Sequence, residues 1–199
     1  FELALVACLI WQGRAIVRWS RTLAGPGAGR VQQVARWCLA SLVLCAVGDL
    51  INRNYLEQSY QWDDVIRASF LITSIWAFLP GYAAAAWANR LASRRVVGAR
   101  AAAVAVAVSV LVGVGAFAVI RVPGAGAYPS VMMAAYTITL VVLLASSAWL
   151  VRAYGWEASV VPVLGCVLAV VADLLIATWW IAEDRFPTVE HANWILYFA

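Results

Sequence analysis

Residues 159–181 read SVVPVLGCVLAVVADLLIATWWI, and a single charged side chain, Asp173, interrupts an otherwise aliphatic, small and aromatic run. A helix needs about 20 predominantly apolar residues to cross the hydrocarbon of a bilayer. Within lipid, only a helix or a closed barrel satisfies its own backbone polar groups. The stretch therefore predicts a transmembrane helix with one acidic group inside it. Working outward, similar runs occupy Glu2–Val17, Val34–Asn52, Val65–Trp87, Ala101–Ile120 and Ser130–Leu150, and a seventh begins near Asn193 and reaches Ala199. The Ala/Val alternation of residues 101–108 has a strand's period, but the length of the run and its neighbours favour a helix.

Composition agrees with this pattern. The 199 residues are 65% hydrophobic and 12% charged, against roughly 45–50% and 25% in soluble domains. The expected fold is an all-α polytopic transmembrane bundle in a single domain spanning residues 1–199, with seven helices visible. The chain begins at Phe1 and stops inside an apolar run, so the sequence is expected to be trimmed at both ends, with an eighth helix after Ala199.

The net charge of +4 comes from arginines with no lysine, and their placement carries topology information. Arg18, Arg21 and Arg30 lie in the first loop, with Arg36 just inside the next span. Arg90, Arg94, Arg95 and Arg100 flank the third loop, and Arg152 lies with Glu157 at the fifth. The second loop instead holds Arg53 with Glu57, Asp63 and Asp64; the fourth has Arg121; the sixth sets Glu183, Asp184 and Glu190 against Arg185. Positive loops stay in the cytoplasm, so the odd loops are expected inside, in a bacterial inner or plasma membrane. The arginines read as topology signals rather than as a nucleic-acid surface. Tryptophans 11, 19, 37, 62, 87, 149, 156, 179, 180 and 194 fall near span ends, where the indole suits the headgroup layer.

Gly25-Pro26-Gly27, Pro123-Gly124 and Phe186-Pro187 mark turns, and Pro80-Gly81 should kink or end the third span. Ser109 and Gly113 form a small-x-x-x-small pair suited to close helix packing. Cys8, Cys38, Cys45 and Cys166 lack metal or disulfide spacing and read as packing residues. His191 is the sole histidine, so no metal or other cofactor is expected.

Asp49 and Asp173 are the acidic residues well inside apolar runs, in the related contexts Ala46-Val-Gly-Asp-Leu-Ile51 and Val170-Val-Ala-Asp-Leu-Leu175. This echo suggests a parallel four-plus-four repeat in which the second and sixth helices are equivalent. Intramembrane carboxyls normally face a bundle interior or an aqueous cavity. Two such groups can hold one proton between them, the arrangement general acid–base catalysis uses. The plainer alternatives are an i,i+4 ion pair of Asp49 with Arg53 and an interhelical hydrogen bond for Asp173. Asp173 has no cation within a turn of its helix, which makes it the better candidate acid. Asn52, Asn54, Tyr136, Thr137, Asn193 and Tyr197 could line a pocket with the two aspartates, or simply hydrogen-bond between helices.

The segment from Gly165 to Ala177, with Asn193-Trp-Ile-Leu-Tyr197-Phe198 after it, resembles the second half of the YhhN membrane family, which includes the lysoplasmalogenases. Gly48-Asp49 is similar to that family's Gly-Asp motif. Asp173 through Ala177 is similar to its Ser-Asp-x-x-x-Ala motif, with Ala172 in place of serine, and residues 131–150 with Tyr136 resemble the preceding helix. Where the family carries Gly-His, the third span has Pro80-Gly81-Tyr82, and Asn52-Arg-Asn-Tyr55 after Gly-Asp also departs from its pattern. The resemblance implies a membrane-embedded hydrolase that cleaves the vinyl ether of a lysoplasmalogen lipid, with Asp49 and Asp173 catalytic and the polar residues above at the substrate. Two other classes compete: a non-enzymatic ligand-sensing or assembly module, and a proton-coupled transporter relaying protons between the aspartates.

Overall fold

The computed structural model describes residues 2–52, 60–62, 65–67, 71–121 and 126–182. They form six helices, α1 (Glu2–Thr22), α2 (Ala28–Asn52), α3 (Leu71–Ser93), α4 (Ala99–Ile120), α5 (Ala127–Tyr154) and α6 (Trp156–Ala182). A small antiparallel pair, β1 (Tyr60–Trp62) and β2 (Val65–Arg67), lies between α2 and α3, with Tyr60 opposite Arg67 and Trp62 opposite Val65. The five helices from α2 to α6 are long and apolar enough to cross a membrane. At about 1.5 Å per residue, the 23 residues of α3 reach roughly 35 Å, more than the hydrocarbon thickness. The chain is thus an integral, multi-pass membrane protein.

The outer surface fits a lipid solvent. Val104, Leu111 and Val119 of α4 are 63%, 72% and 85% exposed, a continuous apolar face that water would not tolerate. The Ala/Val alternation of residues 101–108 is helical, as its length required. Trp11, Trp19, Trp37, Trp87 and Trp156 are exposed, as interfacial anchors should be, whereas Trp149 turns inward against Val97 and Ala102. That placement corrects the reading of Trp149 as an anchor: α5 runs on to Tyr154, which leaves Trp149 more than a turn inside the helix end.

Two further expectations change. The third span does not start at Val65, because Val65–Arg67 pair as a strand and the helix begins at Leu71. Apolarity alone cannot separate a short strand from a helix end, and Arg67 would have lain within the apolar run. Nor does Pro80 end the helix, which continues to Ser93. α1 matches the first expected run but is not among the helices apolar enough to cross, with Arg14 and Arg18 inside it. The seventh span expected from Asn193 falls outside the described residues.

Close approaches at glycines set the packing. A Cβ on Gly48 would come within 2.8 Å of the Phe78 ring, and one on Gly81 within 2.8 Å of Cys45 Sγ. These contacts fix α2 antiparallel to α3. The hydroxyl of Tyr154 donates to the Ala92 carbonyl (2.9 Å), and Trp76 Nε1 donates to the Tyr128 hydroxyl (3.0 Å), so α3 and α5 run in the same direction. The α1–α2, α3–α4 and α5–α6 connections therefore share one end of the bundle. Gly155, with φ +79°, allows the α5–α6 reversal within a single residue.

The Ser109/Gly113 pair is a true packing face: both are buried, and a Cβ on Gly113 would lie 2.7 Å from the Ile138 Cα of α5. A backbone atom cannot swing aside as a side chain can. Gly113→Ala is expected to destabilise the bundle by about 1–3 kcal/mol, whereas Gly115→Ala, with nothing within 4 Å, should be neutral. Denaturation in mixed micelles measures both, and equal stability of the two variants would contradict the close α4–α5 contact.

Candidate functional site

The best-buried part of the bundle lies between α3 and α5. Leu71, Ile75, Phe78, Tyr82 and Ala86 recur every three or four residues on α3, as do Met132, Tyr136, Leu140 and Leu143 on α5. Helical periodicity puts each set on one face, and the two faces pack together. Cys45 from α2 and Cys166 and Val170 from α6 close over this core. Asp173 continues the α6 stripe of Cys166 and Val170 by another turn and is 3% exposed.

At Asp173 the polar groups converge. The Tyr82 hydroxyl donates to Asp173 Oδ2 at 2.6 Å across the α3–α6 contact, and Tyr136 is a second hydrogen-bonding partner of the same carboxyl group. Both phenols are buried. Their rings form a trio with Phe78, with centroids 6.0 Å apart for Phe78–Tyr82, 6.2 Å for Phe78–Tyr136 and 6.0 Å for Tyr82–Tyr136. Offset aromatic contacts at such separations hold ring orientation, so the hydroxyls are positioned by packing as well as by their acceptor.

Asp49 stands one helical turn beyond Cys45 on α2, half-buried. It interacts electrostatically with Asp173, and both carboxyl groups interact with Cys45. The α2–α3 register explains the placement. Gly48 gives Phe78 room and Gly81 gives Cys45 room, so the α2 backbone lies close against α3 where Tyr82 projects. The Gly-Asp pair thus has two parts, a contact glycine and an acid carried on the adjoining turn.

The structure therefore brings Asp49, Asp173 and Tyr136 into one region. Asn52 is half-buried at the end of α2 and has an interaction of its own. Thr137 is spent locally, its hydroxyl donating to the Met133 carbonyl. Asn54, Asn193, Tyr197 and the Arg53 proposed as a partner for Asp49 lie outside the described residues. Tyr82 is the site residue that sequence reasoning passed over. Its signal was present: an aromatic hydroxyl on the apolar stripe Leu71, Ile75, Phe78 needs a buried partner, and Asp173 was an intramembrane acid with no partner on its own helix.

Chemically, the arrangement holds a carboxyl group by one oxygen with a phenol donor and leaves a second carboxyl group nearby, in apolar surroundings. It can orient a proton donor and keep a second group for a proton acceptor. The four cysteines are free thiols, and the described residues contain no cluster of metal-ligating side chains. No family model matches the chain, and no curated protein or solved structure shows significant similarity to it.

Proposed function

We propose that this chain is a membrane-embedded hydrolase that cleaves the vinyl-ether bond of lysoplasmalogen-type lipids by carboxylate acid–base catalysis. The observation that carries the proposal is the Tyr82–Asp173 hydrogen bond in the bundle interior, with Asp49 close enough to interact with the same group. The sequence resemblance to the YhhN family supplies the substrate class. In this reading Asp173 donates a proton to the vinyl carbon, leaving an oxocarbenium ion. Water adds to that cation as Asp49 takes the water's proton, and the hemiacetal collapses to an aldehyde and the free glycerol hydroxyl. Return of the proton from Asp49 to Asp173 resets the pair. Paired carboxylates handle a related cation in glycoside cleavage. Tyr82 and Tyr136 would orient Asp173 throughout.

A second reading has an observation of its own. Asp173 with two phenols is also what an interhelical polar clamp looks like, and such a clamp would suit a sensing or assembly module. Purified protein assayed against a panel of vinyl-ether and diacyl lysolipids separates the two. Aldehyde release confined to the vinyl ethers supports the hydrolase, and its absence across the panel favours the clamp.

The parallel repeat and the orientation belong to the same proposal. Asp49 and Asp173 would be equivalents on the second and sixth helices, and the arginine-rich end would face the cytoplasm of a bacterial inner or plasma membrane. Support comes from Arg30, Arg94, Arg95, Arg100 and Arg152, which flank the three connections gathered at one end. A cysteine placed at Arg94 should resist an impermeant thiol reagent in intact cells and react after permeabilisation, with the native cysteines first replaced. Labelling in intact cells would reverse the orientation.

A further inference from the structure

A second feature lies on the flank of α3 that adjoins the Tyr82 face. Ala83, Ala86 and Arg90 of α3, Ala103 and Ala107 of α4, and Val142 of α5 line a groove of about 580 Å³. That volume falls within the roughly 300–1,000 Å³ of small-molecule sites. The groove exists because alanines face one another where larger side chains would meet. It is open on its outer side, where Ala103, Ala107 and Trp87 are exposed, and Trp149 and Ala102 wall it at the α3–α4 end. Nearly all of its lining is apolar.

Thr139 spends its hydroxyl on the Ala135 carbonyl, and Arg90 is the charged exception. Its Nη1 is buried and has no hydrogen-bond partner, although guanidinium groups placed in apolar surroundings are normally paired. Arg94, Arg95 and Arg100 are exposed at the same end of the bundle, and Arg152 joins them from the end of α5. Glu157 is the acidic residue described at that end. An apolar trough that opens to lipid and ends at a guanidinium with an unpartnered, buried Nη1, beneath an arginine cluster, is complementary to a chain attached to a negative headgroup. Basic pockets between transmembrane helices recognise anionic lipids on these terms, and a guanidinium pairs well with phosphate oxygens.

We infer that the α3–α4–α5 groove binds an anionic phospholipid of the surrounding bilayer, one acyl chain lying along the alanines and the phosphate accepting from Arg90 Nη1. The site needs only the membrane setting, and its test reads binding rather than turnover, so it stands or falls separately from the hydrolase proposal.

Native mass spectrometry of the full chain in detergent, titrated with dioleoyl phosphatidylglycerol, should show one saturable lipid adduct. Dioleoyl phosphatidylcholine should bind more weakly, and glycerol phosphate, the headgroup without chains, should not displace the adduct. Arg90→Gln is expected to weaken binding roughly tenfold, the effect of losing a charge-assisted hydrogen bond, and Arg94→Gln by less than about twofold. Ala107→Trp fills the trough and should weaken binding while leaving every arginine in place. Equal losses for Arg90→Gln and Arg94→Gln would mean diffuse charge attraction and overturn the site. So would displacement by glycerol phosphate, equal affinity for phosphatidylcholine, or no saturable adduct. If Arg90→Gln does not fold, Ala107→Trp decides alone, and unchanged affinity in that variant overturns the proposal.

Discussion

Asp173→Asn is expected to slow aldehyde release from a lysoplasmalogen by about 100-fold or more, the usual cost of losing a general acid or base, while the protein still inserts and purifies as the parent does. Asparagine keeps the shape of the side chain, and its carbonyl oxygen can still accept the hydrogen bond that Tyr82 gives to Asp173 Oδ2. What it cannot do is release and regain a proton. A structural clamp would therefore survive this substitution and an acid catalyst would not. Asp49→Asn should cause a loss of similar size, since the scheme needs both a donor and an acceptor. The measurement is aldehyde formed per mole of purified protein, with monodispersity as the folding control. Unchanged turnover in Asp173→Asn would remove that residue from the chemistry and leave it as interhelical glue.

The membrane fold was readable from the sequence because lipid imposes a rule that ignores detail: a long apolar run must close its own hydrogen bonds. α4 and α6 obey it with almost no polar interruption, and both appear where expected. The start of α3 was not readable from hydropathy, since Val65-Ile66 is equally apolar in a strand and in a helix, and the run does not show that these residues fold back on Tyr60–Trp62. The inward turn of Trp149 had the same cause: hydropathy locates a tryptophan along a helix but not around it.

The site was half legible. Asp49 and Asp173 stood out because an acid within an apolar run is expensive and has few explanations. Tyr82 did not, because tyrosine is common enough in apolar surroundings to pass as packing. Its role depends on α3 and α6 meeting at one point, which the α2–α3 glycine contacts and the α5–α6 reversal at Gly155 arrange. The alanine groove was hidden for a similar reason. Alanines are visible on α3 and α4, but the space they leave arises only where those two faces meet beside α5.

Tyr82→Phe is expected to reduce vinyl-ether hydrolysis roughly ten- to 100-fold while lowering stability much less. The variant keeps the ring that stacks on Phe78 and removes only the hydroxyl that donates to Asp173. A hydrogen bond to a charged group contributes about 1.5–3 kcal/mol, and each ~1.4 kcal/mol withheld from a transition state is tenfold in rate. Interhelical hydrogen bonds in membrane proteins average about 0.6 kcal/mol of stability, because the unfolded chain in lipid also finds partners. The two scales differ enough to be told apart in one variant. Tyr136 softens the loss by retaining a second donor to Asp173, so Tyr82→Phe/Tyr136→Phe should lose more than the product of the single effects. Combining Tyr82→Phe with Asp173→Asn closes the cycle: once the acid is gone, removing its phenol should cost almost nothing further in rate. Fully multiplicative losses in that double variant would show that Tyr82 acts independently of Asp173, and the positioning role drawn from their 2.6 Å contact would be wrong.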